Sequence, residues 1–167
     1  MVNLSLRITS MPDLAAWGAA IELGAEDAAP VVAEVLREAA DSCFETSPDP
    51  WGVAWESLKE ATVKERERLG KTGKILIRDG VLRGSIFGTP TGRTENVFTA
   101  EIGAGGPAAA YAAHQQFGPW SRAFLPIRPN GEVDLPAALD AEVQATIVDA
   151  IDLRMADAMR SDIAVEE

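Results

Sequence analysis

Two stretches of this chain repeat their apolar residues three and four apart, and that spacing commits much of the fold to helix. Val31, Val32, Val35, Leu36, Ala39, Ala40 and Cys43 form one stripe, opposite a polar face of Glu34, Arg37, Glu38 and Asp41. Leu139, Val143, Ile147 and Ile151 form the other. The first of these helices is predicted to open at Asp27 to Pro30 and to end near Phe44 to Ser47. The second opens with Asp134 as a cap and Pro136 in the first turn, and its late Arg154 and Arg160 suit the helix dipole. A separate, earlier helix is predicted from Ser10, Pro12 and Asp13, turning Leu14, Trp17, Ile21 and Leu23 inward and stopping at Gly24.

Other segments follow a period of two. Val2, Leu4, Leu6 and Ile8 fall on one face of an opening strand, one side packed and the other wet. Val81 to Gly88 reads as a strand, Thr89-Pro90-Thr91-Gly92 as a turn, and Asn96 to Gly103 as the antiparallel partner across a longish hairpin loop. Ser47 to Gly52 is dense turn chemistry, bracketed by Trp51 and Trp55. Residues 57–69 are polar and read as a short exposed helix or a mobile arm, and Gly70 and Gly73 favour the arm. Ala108 to Gly118 is a short helix closed by glycine. The order β-α-α-β-β-α-α predicts an α+β fold, a small mainly antiparallel sheet packed by helices, with a long C-terminal helix.

At 167 residues, 47% of them hydrophobic and 25% charged, the chain is expected to be one domain, 1–167, with a mobile arm at 59–74. Cys43 is the only cysteine, so internal disulfides are excluded and assembly in a reducing cytoplasm is expected. No apolar run has the roughly 20 residues that span a bilayer, and Met1 to Ser10 lacks the layout of a secretion signal. The expectation is a soluble protein, intracellular when made. The net charge is −11, which opposes binding of nucleic acid through the surface as a whole. Charge is nevertheless segregated. Lys59 to Arg93 holds nine bases and four acids, and the remainder of the chain carries −16. One reading is a solvated, balanced surface; the other is head-to-tail attraction between copies in a ring.

Catalytic constellations are absent from the pattern. His114 is the lone histidine, with no second imidazole for zinc and no GxSxG elbow. Cys43 lies on the apolar side of its helix, where a thiol behaves as a small hydrophobe. Gly103-Ala104-Gly105-Gly106 has neither phosphate-loop spacing nor a following lysine and reads as a hinge. Acid pairs such as Asp49 with Glu56, or Glu132 with Asp134, have no standing above other surface acids. Trp51, Trp55, Phe117, Trp120 and Phe124 sit among Pro and Gly, which points to core or interface anchoring. The expectation is no enzyme, no cofactor and no metal.

A series of short motifs runs in order through the middle of the chain. It comprises Phe44 with Ser47-Pro48, Trp51-Gly52 to Trp55, Leu58, Thr62, Ile75-Leu76, Gly80, Leu82, Ser85-Ile86, Val97 and Ile102-Gly103. It continues through Tyr111-Ala112, His114-Gln115 and Phe117-Gly118 to Pro126-Ile127-Arg128-Pro129. In order and spacing this succession resembles the phage virion morphogenesis proteins, also called Mu-like tail completion proteins. The sequence departs from that pattern where Asn130-Gly131-Glu132 follows the Pro-x-Arg-Pro motif, and in the local feature Gly118 to Ala123.

The resemblance implies a virion component, assembled in the bacterial host cytoplasm, that forms a ring at the head-tail junction and joins tail to capsid connector. Its implied partners are other copies of itself, a hexamer in the particle and a possible monomer in solution; head-completion, adaptor and portal proteins on one side; and tail terminator or tail tube proteins on the other. DNA would at most pass through the channel, and no membrane is involved. Trp51, Gly52, Trp55, Leu82, Ile86, Gly103, Tyr111, His114, Gln115, Phe117, Gly118, Pro126 and Pro129 are the structural motif residues. Lys64, Arg66, Arg68, Lys71, Lys74 and Arg128 are the expected interaction residues, Arg128 through a structural or inter-subunit salt bridge. The segment 59–74 is expected to reorganise on assembly. The alternatives are a tail terminator or adaptor ring, or a small ligand-binding domain or enzyme built on Tyr111, His114 and Arg128.

Overall fold

A computed structural model describes residues 14–94, 97–118 and 121–163. The predicted strand at residues 2–8, the predicted helix start at Ser10 to Asp13 and the aromatic at 120 lie outside the described residues. Over the rest the fold is α+β, and its organising element is one long helix, α1, Leu14–Thr46. At 1.5 Å per residue it runs for about 50 Å. The two predicted N-terminal helices are therefore one, and neither of the expected boundaries breaks it.

Gly24 is an interior contact, not a stop. A Cβ there would lie 2.5 Å from the Cα of Ile151, so the missing side chain lets a second helix come close. Pro30 lies inside α1 on its exposed side. On the solvent side of a helix the backbone bond that a proline interrupts can be made good by water, so the helix runs through it. The packed face of α1 starts with small residues, Ala20, Gly24 and Ala28, and continues with Val32, Leu36, Ala40, Cys43 and Phe44. Leu14 and Ile21, expected to face inward, are 77% and 46% exposed. The single helix aims its face at α4, and that direction is set by the small residues.

The partner is α4, Ala137–Ile163, which runs antiparallel to α1. Leu139, Val143 and Ile147 meet Val32 and Leu36, and at the far end Arg154 Nε donates to Asp27 at 2.6 Å. Asp134 is not the helix cap. The Pro136 carbonyl accepts the first bond, from Asp140 N–H at 2.8 Å, so Pro136 takes the cap position and Asp134 is used elsewhere.

Between the long helices lie α2, Glu60–Arg68, then β1, Ile86–Thr94, β2, Val97–Ala104, and α3, Ala109–Phe117. The strands form a two-stranded antiparallel sheet. Two expectations about it are corrected. Val81 to Ser85 is turn and short 3₁₀ helix, so β1 begins only at Ile86. The Thr89 to Gly92 stretch belongs to the strand, since pairing runs on to Thr94 opposite Val97 with a register shift between Pro90 and Gly92. An edge strand with a bulge tolerates proline, and so a turn-like sequence pairs here. Along β2, Phe98, Ala100 and Ile102 point toward the helices, and Val97, Thr99 and Glu101 point away. Ala100 and Ile102 lie on the contact between the two long helices.

The main core gathers at the C-terminal end of α1. Phe44 and Phe124, both fully buried, meet with ring centroids 5.3 Å apart, and Trp55 stands edge-on to Phe44 at 6.0 Å. Burying each ring is worth about 2–3 kcal/mol, and each aromatic pair adds roughly 1 kcal/mol. Leu76, Leu82, Ala108, Ala112 and Leu125 complete the cluster, with Ile86 and Ile102 packed against it.

Candidate functional site

The motif residues converge around two loops that fold back onto the end of α1. The first follows Thr46 directly. Ser47 takes a left-handed conformation (φ 67°), and its N–H returns to the Cys43 carbonyl at 2.9 Å, which ends the helix. Asp49 then organises the turn: its carboxylate accepts the N–H groups of Trp51 at 3.0 Å and Val53 at 2.8 Å. Gly52 supplies the positive φ of 86° that this turn requires. Trp55 leaves the turn pointing into the core, and its Nε1 donates to the Ala123 carbonyl at 3.0 Å.

The second loop, residues 121–134, holds Pro126, Arg128 and Pro129. Pro126 is fully buried; Arg128 and Pro129 are exposed. Arg128 lies over the Trp51 ring, 4.5 Å from its centroid, and forms an ion pair with Asp134. Trp51 Nε1 donates to the Asp134 carbonyl at 3.2 Å. One guanidinium thus joins the two loops within a single chain.

A residue that the motif reading passed over holds this region together. Gln116, 5% exposed, is the buried polar residue of the core. Its Nε2 donates to the carbonyls of Leu125 at 2.9 Å and Ile127 at 3.0 Å. Its Oε1 accepts the N–H groups of Phe124 and Leu125, both at 3.0 Å. All four hydrogen-bonding positions of one amide are used on a loop without regular structure, so that loop can be buried. The sequence carried a signal for it: Ala108, Ala112 and Gln116 recur four apart, the buried side of the helical segment.

The neighbouring motif residues have more open surroundings. Tyr111 is 48% and Phe117 45% exposed, and His114 is exposed. The Gln115 carbonyl accepts Arg122 N–H at 2.8 Å. Gly118 closes α3 against the His114 carbonyl, and Gly103 lies under the Phe87 ring. Tyr111 lines a cleft of about 320 Å³ with Leu76, Leu82 and Pro107, and neither His114 nor Arg128 lines it.

The basic segment is largely matched by carboxylates of the same chain. Lys64 pairs with Glu60 and Arg68 with Glu65 on α2 itself, Lys71 with Asp79, and Lys74 with Glu45 of α1. Arg83 pairs with both Asp41 and Glu45 on α1. Hydrogen bonding to Arg83 holds the Asp41 carboxyl below its ordinary pKa, and bonds to Lys74 and then Arg83 do the same for Glu45. Arg66 instead donates to the Lys74 carbonyl at 2.8 Å. α2 has no buried residue.

Cys43 lines a cleft of about 380 Å³ between the end of α1, the first loop and the start of α4. Burial, reinforced by the Asp49 charge, pushes its thiol up to about 11, so it stays protonated and non-nucleophilic at neutral pH. Among the described residues, no group of three or more His, Cys, Asp or Glu could hold a metal ion. No described helix is long and apolar enough to cross a membrane.

Comparison with known proteins gives this geometry a context. The model of the phage virion morphogenesis family matches residues 14–143, the span from the first turn of α1 to the packed start of α4. The Mu-like prophage FluMu G protein 1 of Haemophilus influenzae is 36% identical over 119 residues, covering 67% of this chain and 75% of that protein. No solved structure matches. The match takes in α1, the turn, the hairpin and the Gln116 region as one continuous unit, and the chain belongs to the phage virion morphogenesis family.

Proposed function

We propose that this chain is a structural protein of the head-tail junction, forming a sixfold ring that joins the tail to the capsid connector of a tailed phage or phage-like particle. The observation that carries the reading is the family match over residues 14–143, which coincides with the packed body of the fold. Two features of the surface support it. The described ends of α1 and α4 expose Leu14, Ile21, Leu23, Leu153 and Met159, apolar area that an assembly would cover. Charge is divided between a basic segment and an acidic remainder, which suits the heterologous contacts of a ring.

In this reading the protein transforms no molecule. Its neighbours are copies of itself, head-completion or adaptor proteins toward the portal, and tail terminator or tube proteins below; DNA only passes through. The segment 59–74, with α2 held outside the core, is the part that rearranges when neighbours bind. Electron microscopy of particles made without the protein tests the proposal. Tail-less heads beside free tails are expected, and normally joined virions would overturn it. A particle map separates the tail completion position from a terminator or adaptor by what the ring touches.

A further inference from the structure

Three cations stand apart from the rest. Of the bases whose side chains are described, Lys59, Arg66 and Arg122 alone have no carboxylate within ion-pair distance among the described residues. All three line one cleft of about 450 Å³, together with Glu56, Ser57, Leu58 and Thr62. The two guanidiniums are positioned by neutral groups: Arg66 by the Lys74 carbonyl at 2.8 Å and Arg122 by the Glu56 carbonyl at 2.9 Å. The Nε of Arg122, cut off from solvent, has no acceptor. Lys59 begins α2 without a side-chain cap, so the positive end of that helix adds to the field. The Glu56 carboxylate is the only acid of the lining, which leaves the cleft net positive in a chain of charge −11.

Unpaired acids have their own place. Glu142, Asp149 and Asp152 are exposed on α4, seven and three residues apart and so on one face, and none has an ion pair among the described residues. Glu38, Glu67 and Glu101, also without ion pairs there, stand singly on other elements.

We propose that the Lys59, Arg66 and Arg122 cleft is a carboxylate-binding site whose occupant is the Glu142, Asp149 and Asp152 face of α4 in a neighbouring copy. The proposal rests on the ring reading and names the contact that would build it. A second copy is favoured over nucleic acid because the matching anions are unpaired and aligned on the same protein, whereas the whole-chain field repels a polyphosphate.

Lys59 is the only amine of the cleft, so zero-length carbodiimide coupling, which joins an amine to a carboxylate in contact with it, reads the site directly. The experiment uses particles assembled from mixed light and heavy-isotope copies of the full chain, with mass spectrometry of the coupled peptides. The expected result is a mixed-isotope peptide joining Lys59 to Glu142, Asp149 or Asp152. Mixed-isotope peptides through Lys64, Lys71 or Lys74 with none through Lys59 would overturn the cleft contact and leave the ring standing. A particle map in which copies do not touch would overturn both. Lys59→Gln and Arg66→Gln, at exposed and half-exposed positions, should each weaken self-association at low salt by roughly twofold to fivefold. Lys59→Glu should be rescued by Asp149→Lys, which a merely structural lysine would not show. Binding of a short DNA duplex that is lost in Lys59→Gln, without the Lys59 cross-link, would assign the cleft to nucleic acid and overturn the proposal.

Discussion

The loop from Phe124 to Ile127 and the helix α2 invert the usual association of regular structure with the interior. The loop has no ladder of its own, yet Phe124, Leu125 and Pro126 are buried, because Gln116 supplies the hydrogen bonds that a strand or helix would have supplied. α2 buries nothing, and its ion pairs, Lys64 with Glu60 and Arg68 with Glu65, are internal to it. It is tied to the rest of the chain through the Arg66 bond to the Lys74 carbonyl and the pairs that Lys71 and Lys74 make just beyond it. Rigidity should therefore follow buried partners, not regular secondary structure. For the ring proposed above, this would give a fixed inner joint and an outer element whose contacts can be exchanged for those of a neighbour at low cost.

The sharpest test of the inner joint is Gln116→Ala. It leaves the N–H groups of Phe124 and Leu125 and the Ile127 carbonyl without their partner, the Leu125 carbonyl keeping the Ile127 N–H at 2.8 Å, and the expected loss is about 3 kcal/mol in denaturant unfolding. Phe124→Ala removes the ring on which that loop is anchored and should cost about 3–5 kcal/mol by the same measurement. A loss below about 1 kcal/mol in both variants would break the comparison, since the loop would then be no more dependent on its interior than α2.

Next in size is the close approach of the long helices. Gly24→Ala places a methyl where the Ile151 backbone now lies, and an overpacked contact of this kind costs about 1–3 kcal/mol. Retained stability would mean that α1 and α4 separate easily there, making the far ends of both helices as free as α2.

Much of this architecture was legible, and the misreadings share one cause. The stripe from Val32 to Cys43 and the stripe from Leu139 to Ile151 are legible because each is a local period that burial then uses. Val31, placed on the same stripe, is 51% exposed because the face of α1 turned to α4 passes through Val32 and Leu36 instead. Gly24 and Pro30 were misread as boundaries because their local meaning is punctuation, whereas here one is a contact and the other an exposed interruption, and only the position of α4 shows this. Thr89 to Gly92 was read as a turn for the same reason; as part of an edge strand its proline is tolerated. Asp134 has the chemistry of a cap, but Arg128 and Trp51 claim it across the loop. Phe44 and Phe124 meet from distant parts of the sequence, and no local pattern announces such a pairing. Gln116 lay in between, on the buried side of an alanine-rich helix, where a polar residue needs a partner.

The junction between the two regions should show in acid. Arg83 joins the segment after α2 to Asp41 and Glu45 of α1, and both carboxyls are held below their ordinary values. Because the folded pKa is the lower one, this stabilisation is complete above the unfolded values and is lost as pH falls through the folded ones, below about pH 4. Arg83→Met should therefore be less stable than the native chain at pH 7, with the difference shrinking toward zero as the pH is lowered to about 3. Urea midpoints across that range check it. A constant difference would mean that Arg83 acts through its packed stem, not through the two acids.

The smallest effect is expected at α2, and it separates local from global stability. Ala61→Gly lowers helix propensity on a helix with no buried residue, so the loss falls on the helix and not on the core. The unfolding midpoint should move by less than about 0.5 kcal/mol, while exchange of the Thr62 and Val63 amides, bonded to the Lys59 carbonyl at 2.8 Å and 3.1 Å, should accelerate several-fold. The Phe124 and Leu125 amides, bonded to Gln116, should exchange at an unchanged rate. If all four accelerate together, α2 and the joint open as one unit, and an independently exchangeable outer element is ruled out.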